Sequence, residues 1–300
     1  MSNMRNLAWL TSFLVGFVSL GQEILWIRIS GFANGNSPQN FAMVLSLFLL
    51  GIVLGSLKGK SICQAASTLM EIRRNGSAVL AISALIDFGS PYLMIQLGGG
   101  SIWLTLVMAL LILSSAATKA VLFPIVHHLG SRIEAADTGS SIARVYFFNI
   151  LGATASPILI GFWLLDHFSA QTMMQLLALL TLLLAFKFYP WGALATTLSG
   201  LFVAGMIFAI ASQRDNALMH ALATKGPDQE IGFLHENRQG VIHTARDPVL
   251  GDAVYGGNIY DGRLSTDLVV NGNRIDRAYV LAALHPAPRR GPRAAPSVAG

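Results

Sequence analysis

Seven stretches of the chain run apolar for long enough to cross a bilayer: 7–29, 40–57, 78–97, 102–126, 144–165, 171–188 and 191–211. About 20 residues at roughly 1.5 Å rise per residue cover the hydrocarbon core, so each predicts a membrane-spanning helix. The breaks between them carry turn chemistry, as in Asn34-Gly35-Asn36-Ser37-Pro38, Gly98-Gly99-Gly100-Ser101 and Tyr189-Pro190. After residue 212 the pattern changes. A polar connector (213–228) leads to short β-rich runs at 231–236, 241–244 and 268–270, separated by Gly, Asn and Asp. Asp261-Gly262 is the expected hairpin turn. A helical stretch follows over 275–284, ending at His285-Pro286. The expected architecture is an all-α bundle of about seven transmembrane helices with a small β-rich C-terminal module. The parts are a helical domain at 1–212, a linker at 213–228, the module at 229–286 and a disordered basic tail at 287–300. So small a module has a marginal core of its own and needs a partner surface.

Composition agrees with this division. Of 300 residues only 12% are charged and 53% are hydrophobic, against about 25% charged in soluble domains. The first 212 residues carry 16 charged side chains and the remaining 88 carry 19. A pI near 9.6 reflects basic membrane loops and a basic tail, and nucleic-acid binding is not expected. The single cysteine, Cys63, excludes an internal disulfide, and no Cys/His spacing suggests zinc. Cys63 is placed in a loop with Lys58 and Lys60, with no assigned base that would make it a nucleophile. The N-terminus lacks a strongly basic region and an early cleavage site, so the first span is read as a retained helix.

Lys58, Lys60, Arg73 and Arg74 after the second span, and Arg132 and Arg144 after the fourth, form one basic side. The other side has only Arg28, Asp166 and His167. The positive-inside rule then puts the N-terminus in the cytoplasm and, after seven crossings, the module outside, in a cell inner (cytoplasmic) membrane. Small residues interrupt the spans at Gly51-x-x-x-Gly55 and Gly152-Ala153-Thr154-Ala155-Ser156, where backbones are expected to approach closely.

Ionisable groups inside a span need a partner or a function. Asp87 and Lys119 lie at similar depth in adjacent antiparallel spans and are expected to pair. The alternative is a polar path for a cation, as in a small-solute or polyamine transporter. Glu23, Trp26 and Arg28 sit near the end of the first span, as interface anchors or a local ion pair. Asn149 is expected to hydrogen-bond a neighbouring helix. His127 and His128 are read as solvated residues at a helix end, because further metal ligands are missing nearby.

The runs GFVSLGQEILWIR (16–28), FLLGIVLGSLKGK (48–60) and ARVYFFNILGATASPILIGFWLLD (143–166) resemble the membrane part of bacterial spermidine-synthase-like proteins. HENRQGVIHTARDPVLGDAVYGGNIYDGR (235–263) and HPAPRR (285–290) are similar to the β-strand lead-in of their aminopropyltransferase-type domain. The resemblance implies a following Rossmann-like domain that binds decarboxylated S-adenosylmethionine and transfers an aminopropyl group to putrescine or a related acceptor. It also implies an acceptor-side role for the hairpin, to which Tyr255, Tyr260 and Asp261 are weak candidates; hairpin structure is the favoured reading of all three. No strand, Gly-rich turn or acid of that domain follows Arg290. The expectation is a truncated or frame-shifted, non-catalytic membrane anchor, with no catalytic, cofactor-binding or metal-binding residues. Its expected partners are the lipid bilayer and a homo-oligomeric copy or a separately encoded catalytic domain.

Overall fold

A computed structural model describes residues 2–133, 138–189, 192–214, 216–224 and 230–284. Among them, seven helices are long and apolar enough to cross a membrane, and the chain is a multi-pass membrane protein. The helices are α1 (Ser2–Asn34), α2 (Pro38–Ala65), α3 (Leu69–Leu97), α4 (Ile102–Ala120), α5 (Leu122–Ile133), α6 (Thr138–Ser156), α7 (Ala170–Phe188), α8 (Ala193–Ser212), α9 (Ala217–Ala223) and α10 (Asp276–Leu284). The fourth span comprises α4 and α5, which meet at Val121. Pro124, with no N–H to give, keeps the ladder from running through this point. The fifth span is α6, continued by a π-helical turn at Pro157–Gly161 and a 3-10 turn at Leu164–Asp166.

Short polar side chains set where these helices begin. Ser37 accepts from the Asn40 N–H with Pro38 in the first turn, Thr68 from Glu71, Ser101 from Trp103 and Ser169 from Thr172. Each satisfies a backbone donor that the helix itself leaves open. Helices α2 and α3 run on well past their predicted ends, leaving 66–68 as the turn between them. Lys58, Lys60, Arg73 and Arg74 are therefore helical, not loop residues. Cys63 likewise stands half-buried in the last turns of α2.

Close backbone approach fixes the packing. A Cβ at Gly152 would collide with the Phe13 carbonyl, and one at Gly16 with the Asn149 carbonyl, which seats α6 on α1. Gly51, Gly55 and Gly59 bring α2 against α4 and α5 in the same way. The main core gathers Leu25, Trp26 and Ile29 of α1 with Met94, Met108 and Met174.

The segment read as a polar connector contains α9, whose Leu218, Met219, Leu222 and Ala223 are buried in that core. The Gly99 N–H donates to the Ala221 carbonyl at 3.0 Å. A four-stranded antiparallel meander follows: β1 (Ile231–Asn237), β2 (Gly240–Ala245), β3 (Ala253–Gly256) and β4 (Ile259–Arg263). Its β3–β4 turn is Gly257-Asn258, with φ of 57° and 66°, the pair of positive angles that a tight hairpin requires. Asp261-Gly262, the expected turn, lies inside β4 at a bulge: Val254 faces Gly262 while Tyr255 faces Tyr260.

The expected strand at 268–270 is a turn, because Asp267 Oδ1 accepts from the N–H groups of Val269 and Val270. Asp247 organises 247–251 in the same way, accepting from Val249 and Leu250. Hydrogen bonds from the Leu250 N–H and from Arg263 hold the Asp247 carboxyl below the usual carboxylate range. His285-Pro286 and the tail at 287–300 lie outside the described residues.

Candidate functional site in the helical bundle

The sheet rests on the end of the bundle where α1 finishes and α7 starts, and Arg28 is the fastener. Its guanidinium donates to Glu236 Oε1 at 3.1 Å, and to the carbonyls of Asn237, Arg238 (3.3 Å) and Gly240 (3.1 Å). Glu236 Oε1 also accepts from the Ala170 N–H at 3.1 Å, at the start of α7. One carboxylate thus joins α1, α7 and β1. Burial pushes the Glu236 carboxyl up, against the pull of Arg28 and of the Ala170 N–H. Around this centre, Asp166 pairs with Arg238 at 3.4 Å, and Asn258 Nδ2 donates to the Phe32 carbonyl at 2.9 Å. His243 lies parallel to Tyr255 at 4.8 Å and edge-on to Phe32.

These contacts correct the reading of the first span. Trp26 is fully buried, not at an interface. Glu23 and Arg28 do not pair: five residues at about 100° each place them some 140° apart around the helix. Arg28 therefore turns to the module. Glu23 turns into the bundle, about 16 Å of helix before Asn34.

Asp87 and Lys119 come together. Lys119 Nζ lies 2.6 Å from Asp87 Oδ2, with 0% of the Asp87 side chain and 4% of the Lys119 side chain exposed. Ser115, one turn before Lys119, completes the cluster. Its hydroxyl donates to Asp87 Oδ1 at 2.7 Å, while its Oγ and carbonyl accept from Nζ at 2.7 and 3.2 Å. All three ammonium protons have acceptors, and the cluster as a unit is neutral.

Beside this pair a partly open cavity of about 350 Å³ is bounded by α1, α2, α4, α5 and α6. Glu23, Ser19, Ser56 and Asn149 supply its polar wall, Phe48 and Ile52 are among its apolar groups, and Lys119 also borders it. Asn149 does bond a neighbouring helix, through Nδ2 to the Ser12 carbonyl at 3.2 Å. Among the described residues the Glu23 carboxylate has no hydrogen-bond or ion-pair partner.

The remaining candidates fall elsewhere. Tyr255 and Tyr260 pack on each other at 5.9 Å across β3 and β4, and Asp261 is exposed at the bulge. His127 and His128 are half-buried within α5 instead of solvated in a loop, and His127 packs on Phe123 at 4.3 Å. Among the described residues no group of three or more His, Cys, Asp or Glu is placed to hold a metal ion.

Two functional residues were not singled out from the sequence. Ser115 was detectable from its i, i−4 relation to Lys119. Glu236 was not, since its cation lies 208 positions away. Comparison with family models, with curated proteins and with solved structures returned no match.

Proposed function

We propose that this chain is a membrane platform, which holds a small β module rigidly at one end of a helical bundle and performs no chemistry with the described residues. The Arg28–Glu236–Ala170 junction carries the reading. A buried ion pair that also spends a backbone donor of α7 costs desolvation, and its return is a fixed orientation between module and membrane. The basic side chains support a particular side. Lys58, Lys60, Arg74, Arg144 and Lys187 are exposed at the helix ends away from the module, so the positive-inside rule puts the module on the non-cytoplasmic face of a cell inner membrane.

A second reading is favoured by the spermidine-synthase-like motifs at 16–28, 48–60 and 143–166. Here the platform carries an aminopropyltransferase-type domain, contiguous or separately encoded, that uses decarboxylated S-adenosylmethionine. That domain would cover the outer face of the sheet, where Phe233, Ile242 and Ile259 are each more than half exposed. A nucleoside-dependent transferase needs its cofactor, so this reading requires the module to face the cytoplasm.

Reporter fusions after residue 284 separate the two. Alkaline phosphatase activity with dark green fluorescent protein supports the non-cytoplasmic platform; the reverse pattern overturns it in favour of the second reading. Limited proteolysis of Arg28→Ala tests the platform itself. Cleavage between 213 and 231 should rise at least about tenfold while the bundle stays monodisperse, given a loss of roughly 2 kcal/mol of docking. Unchanged protection would sink the role given to Arg28.

A further inference from the structure

The cavity beside Glu23 has a hydrogen-bonding character that the platform does not use. Its polar wall is made by Glu23, Asn149, Ser19 and Ser56, in which the Glu23 carboxyl is without a partner among the described residues and can accept. Its cation is not available. Lys119 Nζ donates hydrogen bonds to Asp87 Oδ2 and to the hydroxyl and carbonyl of Ser115, at 2.6, 2.7 and 3.2 Å. With that cluster neutral, Glu23 is the remaining ionisable group of the cavity lining. An occupant that suits this wall donates hydrogen bonds and carries a positive charge.

The remaining walls favour an occupant with an apolar body over a small hydrated ion. Phe48, Ile52, Ala116, Ala120 and Phe123 line most of the space, and they offer a bare cation nothing to replace its water. They suit an apolar body of modest size, since about 350 Å³ lies at the small end of ligand pockets. The way in is lateral. Ile52 and Phe123 stand exposed at the rim, on two spans that face hydrocarbon. A second apolar groove of about 580 Å³ begins at the same Ile52, Ser56 and Phe123, and runs along α2 and α5 past Leu57 to Lys60.

We infer that the bundle contains a lipid-accessible binding site for a compact lipophilic amine. The ammonium sits at Glu23, on the polar wall shared with Asn149, and the apolar part lies against Phe48, Ile52 and Phe123. Lys119, neutralised by Asp87 and held by Ser115, borders the site without adding net charge to it. The site needs neither the β module nor a catalytic domain, so it stands or falls separately from the platform.

The test uses the full chain in lipid nanodiscs, with 4-phenylbutylamine and 4-phenylbutanol as probes and empty nanodiscs as the partition blank. Saturable amine binding above the blank, at least about tenfold tighter than the alcohol, is expected from a charge-assisted contact to Glu23. Glu23→Gln should bring the amine down to the alcohol's affinity. Ala153→Leu keeps the carboxylate but fills the cavity, and should abolish saturable binding of both probes. Equal affinities in the wild-type chain, no saturable amine binding, or an amine preference that survives Ala153→Leu would each overturn the inference. The wild-type comparison and Ala153→Leu decide it even if Glu23→Gln does not fold.

Discussion

The buried pair between α3 and α4 allows a quantitative test. Asp87 Oδ2 and Lys119 Nζ are 2.6 Å apart, and at an effective dielectric of about 20 their attraction is roughly 6 kcal/mol. Desolvation of the two ions, several kcal/mol each, offsets most of that. Removing both charges should therefore change stability little. Removing one strands the other in the bundle, and Asp87→Asn or Lys119→Met should each cost about 3–5 kcal/mol. The double variant should recover most of the loss, with a coupling energy of at least about 2 kcal/mol in a double-mutant cycle. Ser115→Ala, which removes one partner from each ion, should cost about 1–3 kcal/mol. The assay is denaturant titration in mixed micelles, read by tryptophan fluorescence. Losses below about 1 kcal/mol for the single variants, adding without coupling, would refute a pair that neutralises itself and favour hydrated groups lining a cation path.

Gly152→Val should lower the melting temperature, by overpacking worth about 1–3 kcal/mol against the Phe13 carbonyl. Gly205→Val on α8, where an added Cβ meets nothing within 4 Å, is the control and should have little effect. Glu236→Gln should weaken module docking less than Arg28→Ala, since burial dominates the upward shift at Glu236 and Arg28 also holds three carbonyls; proteolytic protection of 213–231 ranks the two. At Asp247 the folded pKa lies below the ordinary 3.8, so its contribution is present above that value and is lost as pH falls through the folded one. The protection of the Val249 and Leu250 amides, taken relative to their intrinsic exchange rates, should fall as pH drops below 3.8, and Asp247→Asn should remove that dependence.

The seven spans were legible because bilayer thickness imposes one length on every crossing, and 7–29 or 171–188 meet it on composition alone. What was missed depended on smaller or more distant cues. Helix α9 is only seven residues long and sits among polar neighbours, although Leu218 and Leu222 are at helical spacing. By residue type Asp261-Gly262 suits the hairpin turn. Gly257-Asn258 also qualifies, and only pairing of Gly256 with Ile259 decides between them. Val269 and Val270 read as a strand by β-propensity, but Asp267 captures their N–H groups first. The Asp87–Lys119 contact could be anticipated from depth in two antiparallel neighbours. The Arg28–Glu236 contact could not, because nothing local ties residue 28 to residue 236.

Helix α1 shows why reading charges in sequence clusters misleads in a packed bundle. Glu23, Trp26 and Arg28 are close along the chain, yet the helical turn sends them to three environments: a cavity, the apolar core and the module. Gln22 follows the same rule, giving its Nε2 to the Met174 carbonyl at 3.2 Å while its neighbour Glu23 faces away toward α2 and α6. A single helix touching α2, α5, α6, α7 and the region beneath the sheet can hold so many polar groups because each face meets a different partner. The first span is thus the axis of the fold. Its ionisable residues serve different ends of that axis: Arg28 bonds the β module, and Glu23 lines the cavity among α2, α4, α5 and α6.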